Sequence, residues 1–155
     1  AAVSAQLSEI RGRLAVRLSS WNLLFSMDDV AEIVPLPRIT RVPGVKRWLL
    51  GIANLRGKVI SVSDLRDFLT ERPTTQLPSS QAVVVRAGDW DYGLLVDEVI
   101  GMRHFGPQQR LATLDSIEAG LRPYVAEAFV NDGQSWLAFD AAKLLADPRF
   151  LQASQ

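Results

Sequence analysis

The sequence contains no cysteine, a single histidine and no net charge across its 155 residues. Without cysteine there can be no disulfide, thiolate metal site or cysteine nucleophile. A single histidine, His104, removes most zinc sites and leaves one candidate for a histidine-based triad. Long apolar runs are missing too. The longest stretch without a charged residue, Pro73 to Val85, has 13 residues rich in Pro, Thr, Ser and Gln, whereas a spanning helix needs about 20 apolar residues. The opening AAVSAQLSEIR has no basic segment followed by an apolar one, so no signal peptide is expected there and the expected compartment is the cytoplasm. Zero net charge gives no overall pull toward nucleic acid or anionic lipid. What is present is ordinary globular composition, 48% hydrophobic and 22% charged, in a length that fits one domain or two small ones sharing a core.

Catalytic constellations are also absent. There is no nucleophile elbow, phosphate-binding loop, dinucleotide fingerprint or zinc-protease helix. Asp97 and Glu98 are adjacent, so on a strand they would point to opposite faces and could not act as paired acids. Asp89 and Asp91 share a face, but in a turn where solvated carboxylates are the default. His104 follows Arg103 without a visible partner and is read as a surface or partly packed imidazole. The expectation is therefore no enzyme, no cofactor and no metal.

The dominant texture is short strands. Leu14, Val16 and Leu18 alternate with Arg13, Arg17 and Ser19, the period of a half-buried strand. Leu23, Phe25 and Met27 continue on one face of the next segment. Val59 and Ser61 lie opposite Ile60 and Val62. AVVV (82–85) and YGLLV (92–96) flank a hairpin-like turn, and EAFV and SWLAF flank Asn131-Asp132-Gly133, residues that tolerate positive φ. Few helices are expected. Asp29 with Glu32 resembles a capping box that opens a helical turn stopped by Pro35. Asp64 and Asp140 each open a capped helix, Leu114, Ile117 and Leu121 recur at helical spacing in 112–121, and Val3, Leu7 and Ile10 would line an N-terminal helix. Glu71 to Ser80 reads as a linker.

The chain also repeats itself. Trp21 and Trp90, 69 residues apart, are each followed seven residues later by an acidic pair and Val: Asp28-Asp29-Val30 and Asp97-Glu98-Val99. Gly57 and Gly133, 76 apart, are each followed seven residues later by the helix-opening Asp64 and Asp140. The change of offset places an insertion in the second half, within 106–122. Two copies of a strand-rich module close most economically into two small barrels that bury a face against each other.

Charge is unevenly spread. From Ile33 to Ser63 there is no acidic residue against Arg38, Arg41, Lys46, Arg47, Arg56 and Lys58, and from Ala87 to Met102 there is no basic residue against Asp89, Asp91, Asp97 and Glu98. Divided at residue 72, the halves carry +4 and −4. This suggests head-to-tail docking of a basic module on an acidic one, or solvated faces of no consequence. Trp48 and Trp136 are expected in the core, and Trp21 and Trp90 either pack locally or anchor an interface. Arg56, in a turn, is a candidate to pair with a partner's carboxylate. A nucleic-acid-binding small barrel is the competing reading, opposed by the acidic stretch.

VAEIV (30–34), LLGIANLRGKVISVSDL (49–65), YGLLVDEVIGM (92–102) and AFDAAKLL (138–145) resemble the CheW-like adaptor family of bacterial chemosensory systems. VPGVKRWLLGIANLRG and VDEVIGMRHF are most similar to its PilI-type branch, which serves type IV pilus twitching motility; a general flagellar chemotaxis adaptor is the alternative. The resemblance implies an all-β fold of two packed SH3-like five-stranded barrels in one CheW-like domain, 11–147. It divides this domain approximately into a first barrel, 13–72, and a second, 80–147, with terminal segments free to cross; 1–10 precede it and 148–155 form a tail. It implies no catalysis. The implied partners are the regulatory domain of a CheA-like histidine kinase and the cytoplasmic tip of a methyl-accepting chemoreceptor, with head-to-tail self-association and recruitment to polar membrane-associated arrays. Matched residue by residue, it implies docking roles for Val30, Glu32, Ile33, Gly51, Arg56, Gly57 and Met102. Ser61 departs from the family's usual Pro and restores a backbone donor.

Overall fold

The structure, a computed structural model, describes residues 12–74 and 80–153. Alternating and β-branched segments become ten strands: β1 Arg13–Leu18, β2 Trp21–Ser26, β3 Val30–Pro35, β4 Leu49–Leu55, β5 Lys58–Asp64, β6 Gln81–Ala87, β7 Trp90–Val96, β8 Glu98–Arg103, β9 Val125–Asn131 and β10 Gln134–Phe139. Three short helices accompany them, α1 Leu65–Thr70, α2 Ala141–Ala146 and α3 Pro148–Leu151. Asp64 and Asp140 cap α1 and α2 by accepting from the backbone N–H of Asp67 and Lys143, as their sequence positions predict.

The strands form two five-stranded sheets, ordered β8-β1-β2-β10-β9 and β3-β6-β7-β5-β4. Replacing each strand by its counterpart in the other repeat turns the first order into the second. The correspondence holds at the level of register: β2 and β10 pair in parallel with Leu137 opposite Leu23, and β5 and β7 do so with Ser61 opposite Tyr92. Both tight turns put their last two residues at positive φ, Arg56-Gly57 and Asp132-Gly133, the geometry that joins antiparallel strands without splaying them. An isolated bridge then ties the connection after β3 to β4, Thr40 to Ile52, and the connection after β8 to β9, Arg110 to Phe129.

The sheets do not divide at the linker. β1 and β2 join β8, β9 and β10, while β6 and β7 join β3, β4 and β5. The approximate division into 13–72 and 80–147 allows terminal segments to cross, and in the sheets each half gives its first two strands to the other half's sheet. The cause is the parallel pairing of β2 with β10 and of β5 with β7, which only an exchange between halves can supply.

Three hydrophobic layers follow. Ala15, Leu24, Phe105, Phe129, Trp136 and Ala138 fill one barrel, and Val34, Ala53, Ile60, Val62, Ala82 and Val84 fill the other. The opposite faces of the same strands, Leu14, Val16, Leu18, Leu23 and Phe25 against Val83, Val85, Leu94 and Val96, meet in the shared core. These strands are buried on both faces, so Ala15 and Leu24 are as enclosed as the alternating residues picked out in the sequence. Met27 is instead exposed in the turn after β2.

Two expected helices are corrected. Residues 30–35 are strand β3, because its ladder with β6 runs from Val30 to Pro35 and outweighs a one-turn capping box. Residues 112–121 form successive turns, not a helix, although Ile117 and Leu121 are buried as their spacing predicts. The expected helix at Val3, Leu7 and Ile10 lies outside the described residues. The linker is anchored at its start, where Thr74 donates its N–H and hydroxyl to the Asp64 carboxylate at 2.8 and 2.7 Å.

Candidate protein-docking site

β3 lies at one sheet edge and β8 at an edge of the other. Val30 is opposite Val85 on β6 and Ile33 opposite Val83, while Val99 is opposite Val16 on β1 and Met102 opposite Leu14. Each ladder carries a bulge at the equivalent place, which re-aims the edge side chains. Val30 and Val99 thereby turn onto the shared core. Ile33 and Met102, equivalent across the repeat, stay 37% and 41% exposed. Two of the residues singled out for docking are thus one position presented twice.

Glu32 and Arg56 come together although 24 residues separate them. Arg56, in the β4–β5 turn, donates from Nη2 to both oxygens of the Glu32 carboxylate. This bond to Glu32 raises the guanidinium pKa above its already high value. The counterparts of Glu32 and Arg56 in the second repeat are Gly101 and Asp132, so the pair marks one barrel only. Arg56 thus meets a carboxylate of its own chain. Gly57 completes the turn, its N–H donating to the Asn54 side chain at 2.8 Å. Gly51 lies where the closing connection crosses β4: its φ is +151°, and a Cβ there would sit 2.1 Å from the Thr40 carbonyl oxygen. Its role is thus to let the barrel close.

Three of the four carboxylates of the acidic stretch, Asp91, Asp97 and Glu98, are bound internally. Asp91 is buried and held by Arg86 and Lys58 at 2.8 and 3.0 Å. The Arg86 bond first, and Lys58 with it, holds this carboxyl below its ordinary value. Asp91 is therefore no solvated turn carboxylate. Asp97 accepts from the Ser19 N–H at 2.6 Å, and Arg17 lies 3.6 Å from Asp97 and 3.0 Å from Glu98. In the basic stretch Arg47 holds Asp67, and Arg56 and Lys58 are paired as above. Arg38 and Arg41 have no such partner among the described residues. No group of three or more His, Cys, Asp or Glu that could hold a metal occurs among the described residues. No helix there is long and apolar enough to cross a membrane.

The tryptophans divide as their surroundings dictate. Trp136 is buried within one barrel, and Trp48 stacks on Phe150 at 5.2 Å beside the shared core. Trp21 packs on the shared core, whereas its counterpart Trp90 is 71% exposed. The sequence marked both rings, but their different cover comes from the longer connection after β8, which no local pattern announces.

Comparison with known proteins agrees with this architecture. The CheW-like domain matches residues 13–149. The chain is 36% identical to Protein PilI of Pseudomonas aeruginosa over 91% of its own length and 79% of that protein's. It is 32% identical to the Chemotaxis protein CheW of Thermotoga maritima over 57% of this chain and 58% of that one. The crystal structure of scaffolding protein TtCheW from Thermoanaerobacter tengcongensis superposes with a TM-score of 0.71 at 22% identity, covering 83% of this chain and 88% of that one. With two packed five-stranded sheets and a domain match across residues 13–149, the chain belongs to the CheW-like domain family.

Proposed function

We propose that the protein is a non-catalytic chemosensory adaptor that couples the cytoplasmic tip of a methyl-accepting chemoreceptor to the regulatory domain of a CheA-like histidine kinase, in control of type IV pilus twitching motility. The observation that carries this is the family match over residues 13–149, joined to the 36% identity with PilI along most of both chains. The fuller coverage by PilI than by the chemotaxis CheW relative favours pilus over flagellar output. Ile33 and Met102 supply apolar contacts at two sheet edges, Val30 sets the edge onto the core, and Glu32 fixes Arg56 as a rigid polar contact beside them. Gly51 and Gly57 hold the backbone of that corner. Residues of these kinds suit a docking surface, in which exposed apolar side chains lie beside an oriented cation.

The adaptor works on the cytoplasmic side and joins polar receptor arrays, with head-to-tail contact between copies as a further element of the array. The nucleic-acid alternative is disfavoured because Arg47, Arg56 and Lys58 already neutralise carboxylates of this chain, leaving fewer cations for phosphate. Reconstitution with the receptor hairpin and the kinase regulatory domain tests the reading. Kinase binding is expected to weaken with Arg56→Glu and to be unchanged by a substitution at His104, and receptor binding to weaken with Ile33→Asp. Unimpaired assembly of the Arg56→Glu and Ile33→Asp variants would remove this corner from the interface.

A further inference from the structure

We propose that the outer face of β4, β5 and β7 binds an acidic amphipathic segment of another protein, through Ile52, Val59 and Trp90 with Arg38 and Arg41 at the rim. The registers place these side chains together. Ile52 is opposite Ser61 and Val59 opposite Asn54, and the parallel pairing of Ser61 with Tyr92 sets Val59 level with Trp90. The Lys58–Asp91 ion pair at 3.0 Å joins the same two strands at that level. Ile52, Val59 and Trp90 are 38%, 57% and 71% exposed, a run of large apolar side chains across three adjacent strands. Such a strip marks a contact surface more often than an isolated exposed residue does.

The repeat shows what kind of occupant fits. In the sister barrel the counterparts of Trp90 and Val59 are Trp21 and Ser135, which line one groove with Leu111 and Ile117 from the connection between β8 and β9. Leu111 hydrogen-bonds through its backbone to Ala128 of β9, and Ile117 is buried in the core that Trp21 packs against. Within that connection the stretch 112–121, between Arg110 and Arg122, carries Asp115 and Glu118 and no basic residue, with Ile117 and Leu121 buried beside them, so this stretch is acidic and amphipathic. The shorter connection between β3 and β4 leaves the corresponding face uncovered. Charge points the same way: Arg38 and Arg41 are exposed and flank Thr40, which pairs with Ile52, and neither guanidinium has an ion pair among the described residues. A segment with Leu or Ile on one side and carboxylates beside them would cover the strip and meet these cations. This surface is distinct from the Ile33 and Met102 edges and from the Arg56–Glu32 pair.

The test uses a fluorescent peptide of residues 112–121, ATLDSIEAGL, as the acidic probe, and the same peptide with its Asp and Glu replaced by Lys as the control. Saturable binding of the acidic peptide alone is expected. Trp90→Ala is expected to weaken it at least about ten-fold, the loss typical of a central Trp anchor. Arg38→Glu combined with Arg41→Glu is expected to weaken it and to abolish its salt dependence. All three side chains are exposed, and unchanged circular dichroism and kinase binding show that the variants fold. No saturable binding, equal binding of both peptides, or full binding by Trp90→Ala would overturn the proposal. So would loss of kinase binding in Trp90→Ala, which would give the strip to the kinase, or concentration-dependent self-association abolished by that variant, which would give it to a second copy.

Discussion

Two carboxylates illustrate how single side chains respond to their settings in opposite directions. Asp29 is half-buried near Asp140 and Asp28, and burial first, then these like charges, raise its pKa above the ordinary 3.8. Its charged form therefore opposes folding at neutral pH, and that cost fades as pH falls below the raised value. Asp29→Asn is expected to raise the melting temperature by about 1–2 °C at neutral pH, the small effect of a partly solvated group, and the gain should shrink in acid. Asp91, held low by Arg86 and Lys58, does the reverse. Its contribution is present above 3.8 and is lost as pH falls through the lower folded value, so wild-type protein should lose stability in strong acid faster than Asp91→Asn does. Thermal melts across the acid range check both signs. Gly51→Ala should cost about 3 kcal/mol in denaturant titration, from backbone strain together with the clash at the Thr40 carbonyl. None of these environments was legible in the sequence. Arg56 and Glu32 lie 24 residues apart and Asp91 and Lys58 33 apart, so counting charge along the chain reveals the stretches but not the pairs that neutralise them.

Among the elements, the two capped helices form an internal control. Asp140 caps α2 through one bond to the Lys143 N–H, whereas Asp64 caps α1 and also receives the N–H and hydroxyl of Thr74 while 3% exposed. Asp140→Ala should cost about 1 kcal/mol, an ordinary cap. Asp64→Ala should cost about 3 kcal/mol, since it strands buried donors as well, and equal losses in urea unfolding would contradict this account. Both helices were legible because an N-cap is local, and both Gly turns because positive φ is local. Strand β3 was not, since Asp29 and Glu32 satisfy a capping box as readily as a strand, and the choice was made by β6, some 50 residues away. The spacing of Ile117 and Leu121 marked buried positions correctly while misnaming the element, because i, i+4 contacts also arise in successive turns. At the C-terminus α3 places Phe150 against Trp48, Phe68 and Tyr92. Phe150→Ala is expected to cost about 3–5 kcal/mol, measured by denaturant titration.

For the molecule as a whole, exchange of strands between halves makes the two barrels one cooperative unit. Chains cut within the linker, 1–72 and 80–155, should each be unfolded alone by circular dichroism and NMR, since each lacks two strands of its own sheet, and should regain strand content on mixing. A folded isolated fragment would contradict the pairing in the structure. The repeat itself was legible because tryptophans and turn glycines recur at matched offsets, and so was the pair of barrels. The exchange was not, since identical modules give the same pattern whether each closes on its own strands or on its neighbour's.

That ambiguity has a consequence. A single repeat could build the same body as a homodimer by trading its first hairpin with a twin, and such a dimer would be bound to present both ends alike. Joining the twins into one polypeptide lifts that obligation. One end can then acquire a carboxylate–guanidinium clasp and an uncovered indole while the other gains a longer loop that shelters its ring, giving a connector with two different plugs.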